Sequence, residues 1–149
     1  MINEQELSVF ANASLEFFAK NTGILANIDE PQIELGDPPL KHVAGLIEIS
    51  GVAHGYVYAT STRDDITKLL KAMGETDIDS FMIQDIMGEL ASTISSNARQ
   101  SFGERFKVSV PKIIACNGRH FIKERFTSLI LPVKWQGTTV DIVIGINAN

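Results

Sequence analysis

The chain has 149 residues, of which 44% are hydrophobic and 21% charged, and its formal net charge at pH 7 is -5. These values are ordinary for a folded domain and exclude a mainly disordered, collagen-like or coiled-coil chain. With 13 basic against 18 acidic residues the chain is a poor nucleic-acid binder, and its one cysteine cannot form an internal disulfide.

The N-terminus and the apolar runs predict neither a signal peptide nor a membrane span. The first six residues contain two acids and no basic residue, which is unlike the basic start of a signal peptide. No apolar run approaches the roughly 20 residues that a membrane-spanning helix needs. We therefore expect a cytoplasmic protein with a single domain over residues 1–149.

The first half of the chain predicts a helix, a connector, a strand hairpin and a second helix. Apolar residues spaced by three and four predict a helix over Glu6–Asn21, which Gly23 ends. Residues 24–40 contain three prolines and predict a connector with a short extended piece at Gln32–Leu35. The elements that follow are a strand Val43–Ser50, a glycine-flanked turn at residues 51–55, a strand Tyr56–Thr60 and a helix Asp64–Met73.

The second half again contains a helix that is followed by a strand hairpin. A helix is predicted over Ser80–Ser101, with several capping residues before it and Gly103 after it. Extended pieces follow at Phe106–Val110, Ile113–Ala115, Phe126–Val133 and Val140–Ile146, the last two joined by a loop over Lys134–Thr139. Because each half contains helix followed by a hairpin, we predict an α+β domain with long helices packed on an antiparallel sheet.

The helix over Ser80–Ser101 separates an apolar stripe from an unusual polar face. At about 100° per residue, the residues that fall together on the stripe are Ile83, Ile86, Met87, Leu90, Ile94 and Ala98. The opposite face carries Asp85, Glu89, Ser92, Thr93, Ser96, Arg99 and Gln100. Solvated helix faces usually carry long side chains, whereas small ones dominate here and permit the close approach of another surface. An ordinary solvated face and a docking face both remain open.

The segment Ile86–Ala98 resembles the signature helix of the CheC/CheX/FliY chemotaxis phosphatases, which has Gly-Glu-aliphatic-x-Asn followed by small residues. The hairpin Leu46–Tyr58, the segment Val110–Ile114 and the last hairpin are also similar, and the overall likeness is closest to CheX. The resemblance implies an α+β fold with pseudo-symmetric halves and a homodimer. It implies removal of phosphate from the aspartyl-phosphate of a CheY-type response regulator, which supplies the Mg²⁺, so that the chain needs no cofactor of its own.

The resemblance also assigns roles to residues. In this family the Glu engages the regulator's active-site lysine, and the Asn three positions later orients the attacking water. Glu89 matches the Glu, but Ser92 stands where the family has Asn. We expect Glu89 and Ser92 to be the catalytic pair. The residues that we expect to contact the partner are Asp85, Gly88, Thr93 and Ser96.

The serine leaves three functions open. A phosphatase is the first, because a serine hydroxyl can both donate and accept a hydrogen bond. A non-catalytic adaptor that binds receiver domains is the second, because Ser92 is shorter than Asn and water misplaced by about 1 Å can cost on the order of 10²-fold in rate. A structural homodimer with no receiver partner is the third.

The other chemistry-bearing residues predict no site. Cys116 and His120 flank a turn without a third orienting group, so we expect an incidental cysteine. His42, His54 and His120 lack metal-ligand spacing, so we expect no metal site. The basic cluster at residues 119–125 is too small to indicate nucleic-acid binding in an acidic chain.

Overall fold

The computed structural model describes residues 2–115 and 127–148 of the chain. Within these residues, helices pack on one face of an antiparallel sheet, which confirms the predicted α+β class. The helices are α1 (Glu4–Thr22), α2 (Arg63–Ala72) and α3 (Ser80–Phe102). The strands are β1 (Asn27–Ile28), β2 (Gln32–Glu34), β3 (Val43–Gly51), β4 (Ala53–Ser61), β5 (Phe106–Val108), β6 (Lys112–Ala115), β7 (Ser128–Trp135) and β8 (Thr138–Ala148).

The helix ends follow the capping residues in the sequence. α1 begins earlier than predicted because Asn3 and Glu6 form a capping box, in which each side chain accepts a hydrogen bond from the other residue's backbone N–H. The helix ends before Gly23, whose φ of 74° is the left-handed conformation that we predicted there. α3 begins after Asp79, whose carboxylate accepts a hydrogen bond from a backbone N–H of the first turn, and ends before Gly103.

The two halves of the fold exchange their short pieces. The strand order is β1-β7-β8-β4-β3-β5, and β2 also pairs with β7 while β6 also pairs with β3. Strands β1 and β2 of the first half therefore extend the second hairpin, β7–β8. Strands β5 and β6 of the second half extend the first hairpin, β3–β4. The helices follow the same exchange, since α1 lies against β7 and α3 lies against β3.

This exchange interlocks the two similar halves. The paired strands β4 and β8 join the hairpins at the centre of the sheet. Each half also covers the outer edge of the other's hairpin with its short strands, which removes an exposed strand edge. The order helix, two short strands, hairpin occurs in both halves, and α2 is the insertion between them. The pseudo-symmetric architecture is thus present in the described part of the chain.

The hairpin turns refine the sequence prediction. Strands β3 and β4 pair with each other as far as Ile49 and Gly55, so the chain turns at residues 51–55 as predicted. Most of the residues in this turn also pair with β5 or β8, which extends the two strands. The loop predicted over Lys134–Thr139 is much tighter. Only Gln136 and Gly137 join β7 to β8, with φ values of 48° and 77°, as a type I′ turn requires.

Apolar side chains are buried on both faces of the sheet. The main core lies between the sheet and the helices and includes Phe10, Phe17, Phe18, Val57, Ile66, Leu69, Leu90, Ile94, Leu131 and Ile142. A smaller cluster on the opposite face contains Leu40, Ala44, Leu46, Tyr56, Tyr58, Ile130 and Val143. The Tyr58 hydroxyl donates to the carbonyl of Pro39 at 2.6 Å. Burial raises the pKa of Tyr56, and its hydrogen bond with Ser128 opposes that rise.

No helix in residues 2–115 or 127–148 is both long and apolar enough to span a membrane.

Candidate functional site

Helix α3 rests directly on strand β3 at Gly45. A Cβ atom at this glycine would overlap the carbonyl oxygen of Met87 and would lie 3.0 Å from the amide nitrogen of Gly88. Only a residue without a side chain lets the helix backbone approach the strand this closely. Because Glu89 is the next residue along α3, Gly45 sets the position of the helix at the start of the predicted site.

The flank of α3 at Gly88 is closed by β6 and the residue before it. A Cβ atom at Gly88 would lie 2.9 Å from Cδ1 of Ile113 and 3.6 Å from Cβ of Pro111. Gly88, which we expect to contact a partner, is buried by these neighbours in the isolated chain. Its role in the structure is close packing against β6, and helical periodicity alone could not show which strand covers this flank.

The other predicted site residues lie toward the surface of α3. Glu89 and Asp85 are exposed, and Ser92 is partly buried one turn beyond Glu89. Thr93 is partly buried and Ser96 is exposed. Within the described ranges, the carboxylates of Asp85 and Glu89 make no hydrogen bond or ion pair. A cationic group from another molecule can therefore pair with them without displacing an internal partner.

The apolar stripe of α3 is buried as predicted. All six residues that we assigned to it lie in the core beneath the helix. Ser95, which the projection did not assign to either face, is also fully buried, and in the described part of the chain its hydroxyl has no hydrogen-bond partner. The buried side of α3 is therefore fixed by apolar packing, and its exposed side is available to bind a partner.

Two features beside this face were not singled out from the sequence as functional. Phe81, in the first turn of α3, is exposed on the same side of the helix as Asp85 and Ser92. Val110 is also exposed and directly precedes Pro111, which packs against α3. The sequence predicts extended pieces at Phe106–Val110 and Ile113–Ala115 and a family likeness over Val110–Ile114. It does not reveal the pairing of β6 with β3 that brings this segment to α3.

The two histidines in the described part of the chain do not come together. His42 and His54 lie near opposite ends of the β3–β4 hairpin, and His42 Nδ1 accepts a hydrogen bond from the backbone N–H of Arg63. Cys116, His120 and the basic cluster at residues 119–125 lie outside the described residues. Among the residues that are described, no group of three or more His, Cys, Asp or Glu is placed to hold a metal ion.

The chain is similar to known chemotaxis proteins in sequence and in structure. The family model described as chemotaxis phosphatase CheX matches residues 43–134. A CheC-like superfamily protein from Shewanella sp. PV-4 has a similar structure, with a TM-score of 0.83 and 20% identity over 99% of this chain and 100% of that one. A chemotaxis protein CheX from Vibrio vulnificus gives a TM-score of 0.77 and 19% identity, over 96% and 99% of the two chains.

A third similar structure contains a partner. It is the CheX-CheY-BeF3-Mg²⁺ complex from Borrelia burgdorferi, which matches with a TM-score of 0.77 and 16% identity, over 95% of this chain and 97% of that one. At such identities the solved structures show a shared fold. A comparison with curated proteins gives no match.

Proposed function

Because this chain belongs to the CheX family, we propose that it binds a phosphorylated CheY-type receiver domain and hydrolyses the receiver's aspartyl-phosphate. The observation that carries the proposal is the carboxylate of Glu89, which is exposed on α3 one turn before Ser92 and has no partner among the described residues. In the family, a Glu at this position engages a receiver lysine. A receiver partner also implies a cytoplasmic location.

The arrangement suits phosphoryl transfer. Such reactions need positioning and charge stabilisation more than covalent help from the protein. Residues three apart on a helix have Cβ atoms about 5–6 Å apart on one surface, so Glu89 and Ser92 reach the same partner together. Glu89 pairs with the receiver lysine, and the Ser92 hydroxyl accepts and donates hydrogen bonds to orient the water. The Mg²⁺ belongs to the receiver, and this chain contributes no ligand to it.

A second function, a receiver-binding adaptor, is favoured by one specific observation. Ser92 replaces the Asn that orients water in the family, and its hydroxyl lies closer to the helix backbone than a side-chain amide would. An adaptor would keep the lysine contact of Glu89 and the docking face of α3 but would leave the hydrolysis rate of the receiver unchanged. The two functions therefore differ in rate and share the same binding surface.

Glu89→Ala is expected to lower the rate at which this protein dephosphorylates a receiver by about tenfold. A hydrogen bond to a charged group contributes about 1.5–3 kcal/mol, and removing the carboxylate removes that bond to the receiver lysine. The measurement is loss of aspartyl-phosphate from a CheY-type receiver of the same genome, with and without the protein. Glu30→Ala is the matched control, since Glu30 is exposed in the connection between β1 and β2, at the end of the sheet remote from α3.

The dephosphorylation and binding measurements distinguish the phosphatase from the adaptor. Acceleration by the wild type that Glu89→Ala removes and Glu30→Ala keeps supports the phosphatase and excludes the adaptor. Binding without acceleration supports the adaptor. If the wild type neither binds nor dephosphorylates any receiver of the genome, both proposals fail and a structural role is the remaining reading.

We also propose that the protein is a homodimer, as the family resemblance implies. The expected mass in solution is twice the chain mass of 16.3 kDa. Light scattering of the protein as it elutes from a gel-filtration column measures this directly. A mass equal to one chain at micromolar concentration would contradict the proposal.

A further inference from the structure

Three exposed apolar side chains lie around the polar face of α3, and we name Phe81, Val110 and Ile113 the apolar rim. Phe81 is 74% exposed, Val110 is 84% exposed and Ile113 is 37% exposed. Phe81 precedes Asp85 by one turn of α3, so it stands at the N-terminal end of the same helix face. Ile113 lies about two turns further along α3, where its Cδ1 atom packs beside Gly88.

The segment that carries Val110 is held in place. The backbone N–H of Ser109 donates to the carbonyl of Glu48 at 3.0 Å, and the Ser109 hydroxyl accepts from the Glu48 N–H at 2.9 Å. Pro111, on the other side of Val110, packs at Gly88. Val110 is therefore presented to solvent from a segment anchored at both ends, and ordering it for binding costs little.

The apolar rim differs in its surroundings from the other exposed apolar side chains of the described residues. Most of those belong to the β1–β2 region, at the opposite end of the sheet, and they are Ile24, Leu25, Ile33 and Leu35. Phe81 precedes Asp85 by one turn of α3, Ile113 packs beside Gly88 next to Glu89, and Val110 precedes Pro111, which packs at the same glycine. Asp85 and Glu89 have no hydrogen-bond or ion-pair partner among the described residues. Apolar contacts beside a few placed charges are the usual composition of a protein interface.

We propose that the apolar rim packs against the receiver domain around its phosphorylation site and supplies the apolar part of the interface, while Glu89 supplies the ionic part. This inference rests on the proposed function and deepens it, because it names residues outside the signature helix motif that select the partner. Phe81 is the expected anchor, since aromatic side chains are enriched in interfaces and contribute strongly when they are fully buried there.

Charge decides between the receiver and a second copy of this chain as the occupant. A symmetric contact between two copies centred on this face would bring Asp85 and Glu89 of one copy toward the same residues of the other. Like charges brought together in this way oppose association. A receiver presents a lysine to the same carboxylates and is the complementary partner.

The test compares serine substitutions at two ends of the molecule. Phe81→Ser and Val110→Ser are each expected to raise the Kd for a CheY-type receiver, activated with beryllofluoride and Mg²⁺, by about tenfold. Leu25→Ser and Leu35→Ser are the matched controls, because these side chains are 81% and 79% exposed and remote from α3. The controls are expected to change the Kd by less than about twofold, because exposed residues outside an interface contribute little to it. All four positions are on the surface, so the variants should keep the far-ultraviolet circular dichroism of the wild type.

The outcomes are distinct. Weakened binding in both rim variants with unchanged controls supports the inference. An equal increase in Kd for the rim and control variants overturns it. A rim variant that changes the oligomeric mass but not the Kd for the receiver also overturns it, because the apolar rim would then contact a second copy of the chain. If the wild type binds the receiver and Glu89→Ala weakens binding while the rim variants do not, only this inference fails. If the wild type binds no receiver, the proposed function fails first.

Discussion

Ser92→Asn is expected to raise the rate of receiver dephosphorylation by about 10²-fold over the wild type. A side-chain amide offers a donor and an acceptor on one stiff plane, and it reaches further from the helix than a hydroxyl. An error of about 1 Å in the position of a reacting water can cost on the order of 10²-fold. Ser92 is partly buried and lies three residues after Glu89, so an Asn there recreates the spacing of the family motif on a helix that is already fixed.

The measurement is the loss of aspartyl-phosphate from the receiver, followed for the wild type, Ser92→Asn and the double variant with Glu89→Ala. Ser101→Asn is the matched control, since Ser101 is exposed in the last turn of α3 and lies outside both the motif and the residues expected to contact the partner. A large gain in Ser92→Asn with none in Ser101→Asn locates water orientation at position 92. An unchanged rate in Ser92→Asn would show that this position does not orient the water.

The same variant measures how far the natural protein has departed from catalysis. If the wild type already accelerates hydrolysis, the protein is a slow phosphatase. The increase in rate with Asn then measures how much the serine lowers the rate of hydrolysis. If only the variant accelerates hydrolysis, the natural chain is an adaptor with an otherwise intact site. The Glu89 contact serves both cases, which is why position 92 decides between them.

Local patterns predicted the helices well. The stripe of α3 is buried as its spacing indicates, and the observed helix Ser80–Phe102 exceeds the predicted one by a single residue. Capping residues act within one turn: Gly23 ends α1 and Gly103 ends α3 as predicted, whereas the capping box that starts α1 at Glu4 was missed. The family likeness, carried by Ile86–Ala98 together with the hairpins and Val110–Ile114, supplied the pseudo-symmetric halves. The helix ends depend on residues close together in the chain.

What the sequence did not predict depends on contacts between distant segments. The pairing of β6 with β3 brings Ile113 to α3, and helical periodicity alone does not show that this side chain covers Gly88. The two-residue strand β1 had no recognisable pattern of its own, because it exists only by pairing with β7. Gly45 lies within a predicted strand, and nothing in its neighbours reveals that a helix backbone lies against it.

Gly45→Ala is expected to lower the free energy of unfolding by about 3 kcal/mol, the upper part of the usual range for overpacked interiors. The new methyl group would overlap the carbonyl oxygen of Met87, and a backbone atom in the middle of α3 cannot rotate away. The helix must shift on the sheet, which loosens the packing beneath Glu89. Urea denaturation followed by circular dichroism measures the change in stability.

Two other glycines show whether the effect comes from a backbone clash. At Gly36 the nearest atom to a new Cβ is a carboxylate oxygen of Glu34 at 3.2 Å, which can move, so Gly36→Ala is expected to change stability by less than about 0.5 kcal/mol. At Gly88 the nearest atom is the flexible end of Ile113, and alanine gains about 1 kcal/mol over glycine in a helix, so Gly88→Ala should fall between the two. If Gly45→Ala were as stable as Gly36→Ala, α3 would not lie on β3 as described. Contact with Gly45 would then not be what fixes the position of Glu89. Both the phosphatase and the adaptor depend on that position.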